Sequence, residues 1–151
     1  KKVSSYSLLP EMSAHEITLK ALKSIVKEYY NFILINYANA DMVGHSGDRL
    51  AGKIAVETID QQLELVVDCA IKNDYTVLIT ADHGNIEEII SPQTGEPQTS
   101  HSRNDVPFIV VDNDLYGKIK LKNGILADIA PTIIKLMDLR KPVEMTGKEL
   151  F

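Results

Sequence analysis

Thr76-Val77-Leu78-Ile79-Thr80-Ala81-Asp82-His83-Gly84-Asn85 decides how the chain is read. The first five residues are a short apolar run without alternation, as a strand covered on both faces requires. The run ends directly in a carboxylate, an imidazole, a glycine and an amide. In open α/β sheets the working residues gather where strands reach their carboxyl ends. Two further runs fit the same scheme. Phe32-Ile33-Leu34-Ile35-Asn36 reads as a buried strand, followed by a loop that carries Asn39, Asp41, Gly44, His45 and Gly47. Val106-Pro107-Phe108-Ile109-Val110-Val111 reads as a third strand, preceded by the turn-rich excursion Ser91 to Ser100 and by His101.

Helices are expected between these runs. Ser13 reads as an N-cap with Glu16 completing a capping box, and Ile17, Ala21, Leu22, Ile25 and Val26 then recur at helical spacing to about Tyr29. A long helix is expected from about Arg49 to Lys72. Its apolar stripe would be Leu50, Ile54, Ile59, Leu63, Val66, Val67 and Ala70, with Ser46 as its cap. Ile86 to Ile90 reads as one short helical turn. Leu126 to Leu139 reads as a last helix, starting near Asp128 because Pro131 is tolerated only in a first turn. Alternating strands and helices imply an α/β fold, a mostly parallel sheet sandwiched by helices.

Composition narrows the function classes. With 151 residues, 44% hydrophobic and 25% charged, the chain is an ordinary globular mix of about one domain. Sixteen basic against 21 acidic residues leave a net charge of −5, which gives no footprint for nucleic acid or an anionic membrane. No apolar run approaches the roughly 20 residues of a membrane span. Cys69 is the one cysteine, so an intrachain disulfide is excluded, nothing points to secretion, and a cytoplasmic setting is expected. No apolar core follows Lys1-Lys2, so the start is not a signal peptide. Since it is not Met, the chain reads as a piece of something longer.

The chemistry lies in Asp41, His45, Asp82, His83 and His101. Each alone has a bland reading: a turn or capping Asp, a surface His. Together, three strand-end segments deliver them to one edge of the sheet. Carboxylate and imidazole donors without thiolate suit Mn²⁺, Zn²⁺ or Fe²⁺. Five donors exceed what one catalytic ion takes from protein, and fall short of closing two sites. A two-metal centre for phosphoryl transfer would need further ligands from outside the chain. Of the remaining candidates, His15 reads as solvent-facing, Cys69 as a small core residue, and Lys2 as a frayed terminal cation.

These motifs match a family. Asn36-Tyr37-Ala38-Asn39-Ala40-Asp41-Met42-Val43-Gly44-His45-Ser46-Gly47 resembles the metal loop of cofactor-independent (2,3-bisphosphoglycerate-independent) phosphoglycerate mutase, and Ile79 to Asn85 resembles its second metal loop. Leu9-Pro10-Glu11-Met12-Ser13-Ala14 and Glu144-Met145-Thr146-Gly147 look like further signatures of that family, within the alkaline-phosphatase superfamily. The resemblance implies an alkaline-phosphatase-like fold, of which residues 1–151 would be the C-terminal part of the metal-binding domain. It implies interconversion of 3-phosphoglycerate and 2-phosphoglycerate, in glycolysis and gluconeogenesis, through a phosphoserine intermediate with two Mn²⁺ ions. Asp41, His45 and His101 would hold one ion; Asp82 and His83 would help hold the other. The nucleophilic Ser is not in this chain, so the isolated piece is expected to be inactive. Ser102-Arg103-Asn104-Asp105 departs from the family's Thr-Thr-Asn-Pro after the third-loop His, and Ser7 lacks a carboxylate usual there. Two alternatives stand beside this reading: a phosphopentomutase-like or other metal-dependent phosphatase-superfamily enzyme, and a non-catalytic folded fragment. The full-length enzyme is expected to be a monomer. In the piece, an uncovered sheet edge invites self-association.

Overall fold

The computed structural model describes residues 3–151, so Lys2 lies outside the described residues. The chain divides into two compact units, the first ending at Asp112 and the second spanning Asn113–Phe151.

In the first unit, helix α1 (Ala14–Val26) buries Ala14, Thr18, Ala21 and Ile25, the 3.6-residue period expected of one covered face. The expected capping box is absent. Ser13 sits at the N-cap, but its side chain makes no cap hydrogen bond. The preceding turn has Met12 at φ 47°, and Ala14 N–H donates to Glu11 O at 3.0 Å. The helix stops at Val26, three residues early, where Glu28 turns to φ 53°.

Helix α2 (Asn39–Gly44) occupies the stretch read as a loop. Helix α3 (Arg49–Lys72) keeps the expected bounds but not the expected cap, and of the expected stripe only Val66 and Ala70 are buried. Asp48 is the cap: its carboxylate accepts from Leu50 N and Ala51 N, both at 3.0 Å. Ser46 instead donates to Val43 O at 2.6 Å, closing the turn after α2. The buried face of α3 is Ala51, Gly52, Ala55, Thr58, Gln62, Val66 and Ala70. Leu50 and Ile54 are 70% and 37% exposed. Ala51 and Ala55 take the part of this face that packs on α2 and Ala70 part of that on α1, where close helix contact favours small side chains, while Thr58, Gln62 and Val66 fill the rest of the face. The core accordingly forms two clusters. Val43, Ala51 and Ala55 pack α2 on α3. Ala21, Ile25, Val66 and Ala70 pack α1 on α3, ringed by Leu22, Ile33, Ile35, Cys69, Tyr75 and Val77. Cys69 is thus a core-edge residue as read, and His15 is exposed as read.

Strands β1 (Val77–Thr80) and β2 (Phe108–Val111) pair antiparallel, Val77 with Val111 through Thr80 with Phe108. A parallel pair needs a crossover of a dozen or more residues, usually a helix. Between these strands lie only a single 3-10 turn (Ile86–Glu88) and a hairpin, so β2 returns along β1 in the opposite sense. The hairpin is the expected excursion: Ser91 N–H donates to Glu96 O and Gln98 N–H to Ile89 O, both at 2.9 Å.

Residues 32–36 form no strand. Their side chains alternate as in a sheet, with Ile33 and Ile35 on the α1–α3 core while Phe32 and Leu34 are 52% and 82% exposed. Among the described residues, however, their backbone groups have no backbone partner. This segment and β1 reach the same core cluster through Ile33, Ile35 and Val77, yet do not hydrogen-bond to each other.

In the second unit, helix α4 (Ile129–Leu136) follows a 3-10 turn at Leu126–Asp128, so the last helix is shorter than the expected Leu126 to Leu139. Pro131 falls in its first turn, as its missing N–H demands. Asp128 ties the unit together. One carboxylate oxygen accepts from Lys148 N at 2.8 Å and the other from Ile125 N at 2.9 Å. These two backbone bonds, in that order, hold its carboxyl below the usual range, with Lys148 and Lys141 adding positive charge. Gly147 is forced by close packing, since a Cβ there would lie 2.0 Å from Ala127 O.

Candidate metal centre

Three loops converge in the first unit. Helix α2 spaces Asp41 and His45 four residues apart, on one face of a turn. Its position is set from outside: the buried Asn39 amide donates to Pro10 O and Glu11 O, both at 2.8 Å, so the Leu9–Ala14 motif anchors the helix that carries Asp41. The Ala81–Asn85 segment leaves β1 and carries Asp82 and His83. The third loop, with His101, is held by Ser102 N–H donating to Gly84 O at 2.8 Å.

Asp41 Oδ1 is the focus. It lies 3.2 Å from His45 Nε2 and 3.2 Å from His101 Nε2, and those two nitrogens are 3.2 Å from each other. His83 Nε2 is 3.9 Å from the same oxygen, and its ring stacks on that of His101 with centroids 3.6 Å apart. Asp41, His83 and His101 each offer a ligand atom within 4.8 Å of the others. Asp82 points outward, its side chain 88% exposed and its Oδ1 3.6 Å from His83 Nε2. The structure thus brings Asp41, His45, His83 and His101 into one group with Asp82 at its rim. It does not divide the donors into two separate sets.

The donor chemistry fits a cation. His45 Nδ1 faces Thr99 O at 2.6 Å, and a carbonyl can only accept, so Nδ1 carries a proton and Nε2 is the nitrogen turned to Asp41 and left to ligate a cation. A ligating His is usually oriented through its other nitrogen in this way. Two imidazole nitrogens and a carboxylate oxygen in a triangle of 3.2 Å edges crowd acceptors together. Ligands about 2.1 Å from one ion, at angles of about 90–109°, lie about 3.0–3.4 Å apart.

Two residues outside the expected ligand set shape the centre. Asn85, 4% exposed, donates through Nδ2 to Asp41 Oδ1 at 2.9 Å. Its own Oδ1 is buried without a hydrogen-bond partner and rests against Gly44, where a Cβ would come within 2.1 Å. Glu87 accepts from Asn85 N at 2.8 Å, from Asn104 Nδ2 at 3.1 Å, and from Ser102 Oγ. Burial raises its carboxyl pKa, but the hydrogen bonds from Ser102, the backbone of Glu87 and Asn85, and Asn104 outweigh that and hold it below its ordinary value. The glycine of the Asp-Met-Val-Gly-His stretch was a visible signal for the first contact; Glu87 gave none, since an acidic residue after a loop is commonplace.

Comparison with known proteins follows the same lines. A family model described as Metalloenzyme superfamily matches residues 1–141. A 2,3-bisphosphoglycerate-independent phosphoglycerate mutase from Clostridium acetobutylicum is 51% identical over 150 residues, which are 99% of this chain and 29% of that protein. One from Ehrlichia ruminantium (strain Gardel) is 49% identical over 148 residues, 98% of this chain and 29% of that protein. The crystal structure of Leishmania mexicana phosphoglycerate mutase at low cobalt concentration matches with a TM-score of 0.88 and 26% identity, covering 99% of this chain and 30% of that one. The chain therefore spans about three-tenths of the length of these relatives.

Proposed function

We propose, given that the chain belongs to the Metalloenzyme superfamily, that it is the metal-binding part of a 2,3-bisphosphoglycerate-independent phosphoglycerate mutase, acting on 3-phosphoglycerate and 2-phosphoglycerate. The observation that carries this reading is the 3.2 Å triangle of Asp41, His45 and His101. Those three would hold one divalent ion, Mn²⁺ by the resemblance, and Asp82 and His83 would contribute to a second. Bound divalent ions supply charge neutralisation and a clamp for the attacking and leaving oxygens of phosphoryl transfer. This chain's own residues orient the donors. Thr99 O fixes the His45 tautomer, and the Asn85 amide fixes Asp41. Two doubly charged ions would bring four positive charges, against which Asp41 and Asp82 set two negative ones. Further anionic donors, and the nucleophile, are then supplied from outside these 151 residues. The complete domain would carry the mostly parallel sheet, with residues 32–36 as one of its strands, in a cytoplasmic glycolytic enzyme. The shared name of the relatives, at about half identity, favours the mutase over a phosphopentomutase or phosphatase.

Calorimetric titration of the 151-residue chain with Mn²⁺ tests the reading. Asp41→Ala is expected to abolish binding and His101→Ala to weaken it at least tenfold, about the loss of one ligand or more. Unchanged binding in both variants would overturn it. The isolated chain is expected to form no 2-phosphoglycerate in a coupled assay.

A further inference from the structure

The three donor-bearing loops are not held together by their donors alone. Asn85 joins the second loop to the first through Asp41. Glu87 joins the second loop to the third: one carboxylate oxygen takes the Asn85 N–H at 2.8 Å, and the other takes Ser102 Oγ and Asn104 Nδ2. Ser102 directly follows His101 and also donates its N–H to Gly84 O at 2.8 Å. The approach is close enough that a Cβ at Gly84 would lie 2.3 Å from Glu87 Oε1 and 2.1 Å from Ser102 Oγ. Asn104 is gripped a second time by Glu88 Oε1 at 3.0 Å. The hairpin between Ile90 and Pro97 separates these loops in sequence, so no local turn sets the position of His101.

We propose that Glu87 is a positioning residue. Its carboxylate clasps the His101 loop onto the Asp82–His83 loop and, through Asn85, onto Asp41, so that the His101 imidazole is delivered to the Asp41 carboxylate before any ion arrives. A carboxylate suits this place because it offers only acceptors. Three donors from two loops converge on it, and an amide would turn its NH₂ toward at least one of them. As a device for metal binding, the clasp rests on the reading given under Proposed function. As a geometric device it does not.

The test uses the whole 151-residue chain with ¹⁵N-labelled histidine. In metal-free protein, Glu87→Ala is expected to move the ring resonances of His101 and His45 while leaving those of His15 in place. Glu87→Gln, which keeps one acceptor oxygen and stays closer to the native fold, should move them less. His101 signals unmoved in both variants would overturn the clasp, whether or not the chain binds metal. In Mn²⁺ titrations, Glu87→Ala should weaken binding about 10–100-fold, as loss of a residue supporting a ligand does. The Glu87→Ala/His101→Ala double variant should bind no more weakly than His101→Ala alone, because Glu87 acts through His101. Fully additive losses would overturn the proposal, since they mark a general loss of structure. If the unsubstituted chain binds no Mn²⁺, the functional reading falls and the resonance measurement still decides the role of Glu87.

Discussion

A methyl group added at Gly44 would place a carbon 2.1 Å from Asn85 Oδ1 and 2.8 Å from its Cγ. Ordinary carbon–oxygen contact needs about 3.3 Å or more, so the Asn85 side chain would have to retreat by about 1 Å. It is 4% exposed and has no open solvent to retreat into. The retreat would also stretch the 2.9 Å bond from its amide to Asp41 beyond hydrogen-bonding range. Overpacking costs about 1–3 kcal/mol, and a lost hydrogen bond to a charged group about 1.5–3 kcal/mol. Gly44 is the last residue of α2, where alanine recovers up to about 1 kcal/mol of helix propensity. The net expectation for Gly44→Ala is a loss of about 1.5–6 kcal/mol. Urea titration of four proteins reads it: the unsubstituted chain, Gly44→Ala, Asn85→Ala, and the double variant. With the Asn85 amide gone, the three atoms nearest the added methyl are removed, and Gly44→Ala should then cost less than about 1 kcal/mol. Equal costs in both backgrounds would refute the contact as the cause.

Other expectations follow from the same geometry. Asn39→Ala leaves the carbonyls of Pro10 and Glu11 without their buried donor and should cost about 2–4 kcal/mol in denaturant titration, by the desolvation of two acceptors. Asp128 has its folded pKa depressed, so its contribution to stability is complete above the ordinary carboxylate range and fades as pH falls through the folded value. Acid unfolding of the second unit, followed by circular dichroism, should therefore be less steep in Asp128→Asn, with the difference greatest at neutral pH and vanishing in acid. Leu34→Lys, at a position 82% exposed in a stretch free of charge from Tyr29 to Ala40, should shift the chain toward monomer in sedimentation equilibrium without lowering its melting temperature.

Some of this was legible in the residues and some was not. The bounds of α3, the break at Asn73, the hairpin after Ile90 and the start of α4 at Ile129, two residues before Pro131, all follow from local chemistry: periodicity, turn formers and the missing proline N–H. So does the meeting of Asp41 with His45, which is simple helical spacing. The buried face of α3 was legible only toward its end, at Val66 and Ala70. Leu50 and Ile54 satisfy a periodicity count, but which side of α3 is covered depends on where α1 and α2 pack, and that is a tertiary property. Ser46 and Asp48 are both good caps, and only the turn at Gly47, φ 68°, puts Asp48 at the helix start. The sense of strand pairing depended on what joined β1 to β2, and a run such as Phe108–Val111 carries no direction of its own. Asn85 and Glu87 were hidden for a similar reason, since their importance lies in partners 44 and 15 residues away.

The half-anchored stretch at residues 32–36 has a consequence for proton exchange with solvent. Ile33 and Ile35 keep its side chains seated, while its amides have no backbone acceptor among the described residues. Deuterium should therefore enter these amides nearly as fast as in an unstructured peptide, even as the alternate amides of β1 that donate to β2 retain their protons. Slow exchange at residues 32–36 in any larger assembly would be the direct signature that another backbone has come to lie alongside them.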